Sequence, residues 1–156
     1  MDIRRMQEIN KELNGIQESC TGVYDGFLNK YKTGKQGNIT DIYFDEEVFN
    51  EYIEGVCLQV FRNLKKINLL RNEAEQGKNF ALGAGNNNLL LEANRRISEA
   101  TRLYDYWKTL TKESFNIMEK ESRLKGYQIK VEVRMEPDSI DGCFFEDKSN
   151  DSILRL

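Results

Sequence analysis

Met6, Ile9, Leu13, Ile16, Cys20, Val23 and Phe27 recur at alternating spacings of three and four, the seam of a coiled coil or bundle helix. This pattern predicts a first helix over residues 1–31. Gly15, Gly22 and Gly26 lie inside it, each costing up to about 1 kcal/mol relative to alanine. The helix therefore needs partners, and the glycines leave room for a break near Ser19–Gly22. The polar run 32–41, with two glycines and no period, is read as a loop. Ile39, Ile42, Tyr43 and Phe44 make a short β-prone patch suited to an edge strand.

Asp45 is placed to cap a second helix, and Glu46 and Glu47 suit the positive end of its dipole. Over residues 46–75, Phe49, Ile53, Val56, Val60, Leu64, Ile67 and Leu70 hold one side, broadened by Tyr52, Cys57, Phe61 and Leu69. Such a wide apolar surface predicts a central helix touching two neighbours. The stretch 76–88, QGKNFALGAGNNN, reads as a loop, with Asn88 capping the next helix. Residues 88–125 then repeat at helical spacing through Leu90, Ala93, Ile97, Ala100, Tyr104, Trp107, Thr111, Phe115 and Met118. At 1.5 Å per residue this third helix would be roughly 57 Å long.

After Gly126 the period changes. Tyr127, Ile129, Val131, Val133 and Met135 alternate strictly with polar residues, as in a half-buried strand. A turn at 136–142 and the return of Cys143, Phe144 and Phe145 extend this to a β element over 127–146, leaving 147–156 as a frayed tail. The fold class is therefore mainly α, a long antiparallel helical bundle of three helical segments with a small C-terminal β strand or hairpin. One domain is expected across the 156 residues.

Composition narrows the functions. The single proline, Pro137, leaves the first 136 residues free to be helical. No apolar run approaches a membrane span and no signal-peptide core is seen at the amino terminus, so a cytoplasmic protein that does not meet membrane is expected. The chain has no histidine. That removes Ser-His and Cys-His nucleophiles, the commonest general base and the usual zinc frameworks. Cys20, Cys57 and Cys143 are far apart, and Cys20 and Cys57 fall on apolar stripes. The expectation is a protein with no enzymatic activity, no metal and no cofactor.

The net charge of −3 conceals a layout. Residues 1–61 carry 6 basic and 11 acidic side chains, residues 62–125 carry 13 and 8, and residues 126–156 carry 4 and 7. The basic middle suits either a phosphate site or attraction between neighbouring helices. Within it, GAGNNN stands at the start of the long helix, where free N–H groups and the dipole favour an anion and glycine permits close approach. Lys78, Gly83, Gly85, Asn86, Asn87 and Asn88 form this candidate ligand site. It is neither a Walker A motif, which ends in GK[ST], nor a dinucleotide fingerprint, which comes after a strand; a plain helix–helix connection with an Asn cap explains the same residues. A second candidate is Arg102 with Tyr106, beside Tyr104, Trp107 and Lys108, where aromatics interleave with cations. Tyr104 and Trp107 lie on the core stripe, while Tyr106 lies off it and is expected to be exposed.

The sequence thus predicts a non-catalytic homo-oligomer that captures a nucleotide or other phosphate-bearing ligand, or a partner protein. The abundance of Asn, Lys, Ile and Tyr fits an AT-rich gene, as in low-GC bacteria and their phages, and so a phage or mobile-element accessory protein. Two alternatives remain. One is a DNA-associated oligomer using Arg62, Lys65, Lys66, Arg71, Arg95, Arg96 and Arg102, although no nucleic-acid-binding motif supports it. The other is a structural coiled-coil adaptor.

Overall fold

The computed structural model describes residues 2–31 and 45–124, and three short backbone segments beyond them, at 131–135, 143–147 and 152–155. The expected loop and β patch over 32–44 lie outside the described residues. Helix α1 spans Ile3–Tyr31. Helix α2, Glu46–Glu51, passes through a π-helical stretch, Tyr52–Cys57, directly into α3, Leu58–Ala84. Helix α4 spans Asn87–Leu124. The described core is therefore mainly α and built from three helical rods. The three C-terminal segments, Val131–Met135, Cys143–Asp147 and Ser152–Arg155, pair antiparallel in that order, with Val133 opposite Phe145 and Phe145 opposite Leu154.

The stretch expected to be a 13-residue loop is mostly helix. α3 continues through residue 84, and only Gly85 and Asn86 separate it from α4. Its polar and glycine content suggested a loop, but Ala74, Gly77 and Ala81 fall at spacings of three and four and are all buried. They extend the apolar stripe with small residues, and packing overrides their modest propensity. Gly85 turns the chain at φ 66°, a left-handed angle that glycine adopts without a Cβ penalty. The N–H of Asn86 donates to the Ala81 carbonyl at 3.0 Å, closing the end of α3.

The cap falls on Asn86 rather than Asn88: its side-chain oxygen accepts from the Leu89 N–H at 3.1 Å. With α4 starting there, Leu89 is fully buried and Leu90 only half so. The rest of the expected stripe, from Ala93 to Met118, faces the interior, with Ile97 half-buried. Asp45 caps α2 as expected, accepting from the Val48 N–H at 2.9 Å.

Two further departures have local causes. Leu69, expected to broaden the central stripe, is exposed. In the π-helical stretch the Leu58 N–H reaches back to the Ile53 carbonyl, and the wider turn inserts a residue. Tyr52, Ile53, Val56 and Cys57 are buried there, and the buried stripe resumes at Val60, Phe61 and Leu64. In α1 the helix runs unbroken through Gly22, and the seam shifts after Cys20: Tyr24 is buried where Val23 was expected, and Val23 is half-buried.

Paired side chains fix how the rods lie. Along α1, Arg5, Ser19 and Lys30 meet Glu73, Asn63 and Glu51 in turn. Partner numbers fall as α1 numbers rise, so α1 runs antiparallel to α3. Against α4 the offset is constant: Gln17 meets Trp107 and Tyr24 meets Ser114, both 90 residues apart, so those two helices are parallel. Tyr52 donates to the Thr111 carbonyl at 3.0 Å and Phe49 stacks near Phe115 at 5.7 Å, as antiparallel α3 and α4 require.

Two outcomes are expected. Asn86→Ala should cost about 1 kcal/mol through the lost cap, and Gly85→Val about 1–2 kcal/mol through the left-handed backbone, both read by urea denaturation; a neutral Gly85→Val would place the turn elsewhere. The second concerns alkali. Burial pushes the Tyr52 phenol well above its ordinary value, and burial likewise raises Tyr24 and the Cys20 thiol. These groups keep their protons when folded at pH values where the unfolded chain loses them. Their contribution to stability is therefore complete below about pH 8, where the unfolded thiol and phenols still hold their protons, and is lost progressively as pH rises through about 10. Melting temperatures from pH 8 to 11 should fall, and Tyr52→Phe should blunt the fall.

Candidate functional site

The expected site residues separate into two places. Lys78 and Gly83 lie within α3, Lys78 half-buried and Gly83 exposed, while Gly85 and Asn86 form the turn and Asn87 and Asn88 open α4. Asn86 already occupies the N-terminus of α4 with its own side chain, and Leu90 donates back to the Asn86 carbonyl at 3.0 Å. These six residues make a tight helical hairpin rather than an open glycine loop. Arg102 lies sixteen residues beyond Asn86, about 24 Å along α4 at helical rise. The structure does not bring the two groups together.

It does bring Arg102 and Tyr106 together. They line a groove of about 420 Å³ between α1 and α4, with Leu13, Asn14 and Gln17 from one side and Glu99 and Leu103 from the other. The volume falls in the range of small-molecule sites. The four α4 residues recur at spacings of three, one and three, so they share one side of the helix. Leu13 and Leu103 give an apolar bed, and the rest are polar or aromatic.

Trp107 sets the polarity of one wall. Its indole N–H donates to the Gln17 side-chain oxygen at 2.9 Å. Indole can only donate, so the oxygen of Gln17 must face it and the amide NH₂ is left to point elsewhere, as a donor. Tyr106, 56% exposed, stands nearly perpendicular to Trp107 with ring centroids 5.1 Å apart. Tyr104 is buried, as the stripe required, with Arg71 and Lys108 over its ring at 5.7 and 5.5 Å.

The charges divide unexpectedly. Arg96, counted among the surface cations, is 7% exposed. Its guanidinium donates to Glu99 at 3.1 Å and lies 3.9 Å from Glu92, and its Nε has no partner among the described residues. A buried guanidinium beside Glu99 offsets much of that carboxylate's charge in the groove wall. Arg102 is exposed and has no ion-pair partner among the described residues. Asn14 and Gln17 were not singled out in the sequence, because only the register of α1 against α4 makes them neighbours of Arg102.

A second groove, of about 430 Å³, lies between α1 and α3, lined by Ile16, Ser19, Asn63, Lys66, Leu69 and Leu70 among others. The Asn63 amide spans its floor, donating to Ser19 at 3.1 Å and to the Cys20 sulfur at 3.3 Å. Among the described residues no group of three metal-ligating side chains occurs.

Trp107 joins the core to the first groove, so its removal should be costly. Trp107→Ala is expected to lose about 3–5 kcal/mol. Gln17→Met, which strands the buried indole donor, should lose about 1–3 kcal/mol, both by denaturant titration. An emission maximum typical of water-exposed indole in the unaltered chain would contradict the placement of the ring.

Comparison of the chain with protein-family models, with curated proteins and with solved structures found no match.

Proposed function

We propose that this protein is a non-catalytic helical binding module that assembles with a second copy of itself through the end of the α3–α4 hairpin. The observation that carries this reading is a mismatch in helix length. Arg5, near the start of α1, meets Glu73, and α3 runs on from there to Ala84, about 16 Å further at helical rise. Over that length the described hairpin is two helices thick.

Side chains around that end support the reading. Leu69, Glu73 and Phe80 are spaced four and seven apart and so share one side of α3. Glu73 is covered by Arg5 and Leu69 lines the α1–α3 groove, so Phe80 continues the α1-facing side past the point α1 reaches. Phe80, Leu82 and Leu91 are all more than half exposed. Two such ends laid together supply each other's missing helices and give a four-helix bundle, with the two-fold symmetry commonest among homodimers.

The DNA-associated alternative loses ground on one point. Of its seven proposed cations, Arg96 is buried against Glu99, Arg95 pairs with Glu92 at 2.9 Å, and Arg71 donates to Asn68. No helix among the described residues is long and apolar enough to cross a membrane.

Light scattering at micromolar concentration should return twice the 18.2 kDa chain mass, and Phe80→Lys with Leu82→Lys should return a folded monomer. A monomer from the unaltered chain would overturn the proposal, as would a dimer untouched by the two lysines.

A further inference from the structure

The groove between α1 and α4 is a separate feature, remote from the hairpin end, and it has the makings of a small-molecule site. We infer that it binds a small aromatic anion: a planar ring bearing a carboxylate or a phosphate. Three observations converge on that chemistry.

The first is the cation. Arg102 is exposed on the groove wall with no ion-pair partner among the described residues. Guanidinium presents a rigid fork of donors that matches carboxylate and phosphate oxygens. Of the two acids three residues from it along the helix, Asp105 is not among the groove-lining residues, and Glu99, which is, is engaged by the buried Arg96 at 3.1 Å, so the groove is not closed to anions.

The second is the amide donor set. Gln17 is held by Trp107 with its oxygen turned to the indole, so its NH₂ is available without a rotamer search when a ligand arrives. Asn14 lies three residues earlier on the same side of α1 and lines the same groove.

The third is the ring. Tyr106 is propped against Trp107 at 5.1 Å and 88°, which restrains it while leaving more than half of it exposed. A restrained exposed aromatic beside Leu13 and Leu103 provides a stacking surface for a planar ring. An anion with no ring would engage only the first two features, and a ring with no charge only the third.

The chain's sole tryptophan reports on the site, because Trp107 touches both Gln17 and Tyr106. The full-length protein is titrated with adenosine monophosphate, indole-3-acetate, adenosine and inorganic phosphate. Nitrogen-15 NMR of the Asn14 and Gln17 side-chain amides serves for all four, and Trp107 emission for the three that do not themselves fluoresce. The nucleotide and the aromatic carboxylate separate the two sources of anion. At least one of these two should saturate both the amide shifts and any emission change, binding about tenfold or more tighter than phosphate or adenosine. Arg102→Gln should weaken it about tenfold, the loss of one charge-assisted contact, at an unchanged melting temperature. Tyr106→Ala should weaken the ring-bearing anion while leaving phosphate unaffected. The inference is overturned if neither ring-bearing anion shifts the two amides, or if Arg102→Gln binds as the unaltered chain does. It is also overturned if phosphate alone binds as tightly as the aromatic anions. Because Arg102 and Tyr106 lie outside the hairpin end, the light-scattering result can fail or succeed independently.

Discussion

The structure depends on a close approach of α3 and α4 along a seam of small residues. Ala74, Gly77 and Ala81 on one helix are buried at the hairpin's interior with Leu89, Ala93 and Ala100 on the other. Small side chains let two helix axes come to the near end of the usual 8–10 Å range. The seam is possible only because Gly85 reverses the chain in a single left-handed residue, so that α4 starts beside the residues α3 has just left. Further from the turn the seam fills out with Ile67, Leu64, Tyr104, Trp107 and Phe115, and the hairpin opens into a platform on which α1 can lie.

α1 is set on that platform by polar pairs as much as by its apolar seam. Arg5 bonds Glu73 through two nitrogens, with its Nε at 2.9 Å, and Lys30 reaches Glu51 at 2.8 Å. These pairs are partly exposed, and each is worth no more than about 1 kcal/mol. Between them, part-buried bonds from Asn63 to Ser19 and from Trp107 to Gln17 and a buried one between Tyr24 and Ser114 penalise any slip, since a slipped register strands the buried Asn63, Trp107 and Tyr24 polar groups. The register in turn decides which side chains face each other across the α1–α4 groove. A shift of one turn would move Gln17 away from Trp107 and break the link between the core and the groove wall.

Much of this was legible in the residues. The three helical rods, the Asp45 cap, and the burial of Cys20, Cys57 and most of the 93–118 stripe all derive from spacing and cap chemistry. The exposure of Tyr106 came from its place off the stripe. Two of the expectations that failed share a physical cause. Glycine and asparagine carry a local preference for turns, and over 76–84 that preference is outweighed by tertiary contact along Ala74, Gly77 and Ala81, whose helical spacing is carried by residues too small to stand out as an apolar stripe. Arg96 has the same origin: charge suggests surface, whereas the register of three helices encloses it with Glu99. The groove was half visible. Arg102 and Tyr106 share a helix and stand out by type, but Asn14 and Gln17 become their neighbours only through the pairing of α1 with α4, helices far apart in the chain.

The central claim is that the chain from Leu58 to Leu124 is one helical hairpin turning at Gly85 and Asn86, with residues 76–84 helical. Amide hydrogen exchange tests it directly. Amides of residues 77–82 should be protected, more weakly than those of 100–110 where α1 adds a third helix, but well above open-chain rates of protection. Exchange of 77–82 at open-chain rates would contradict the account, since the seam, the hairpin end and the seating of α1 all require that segment to be helix.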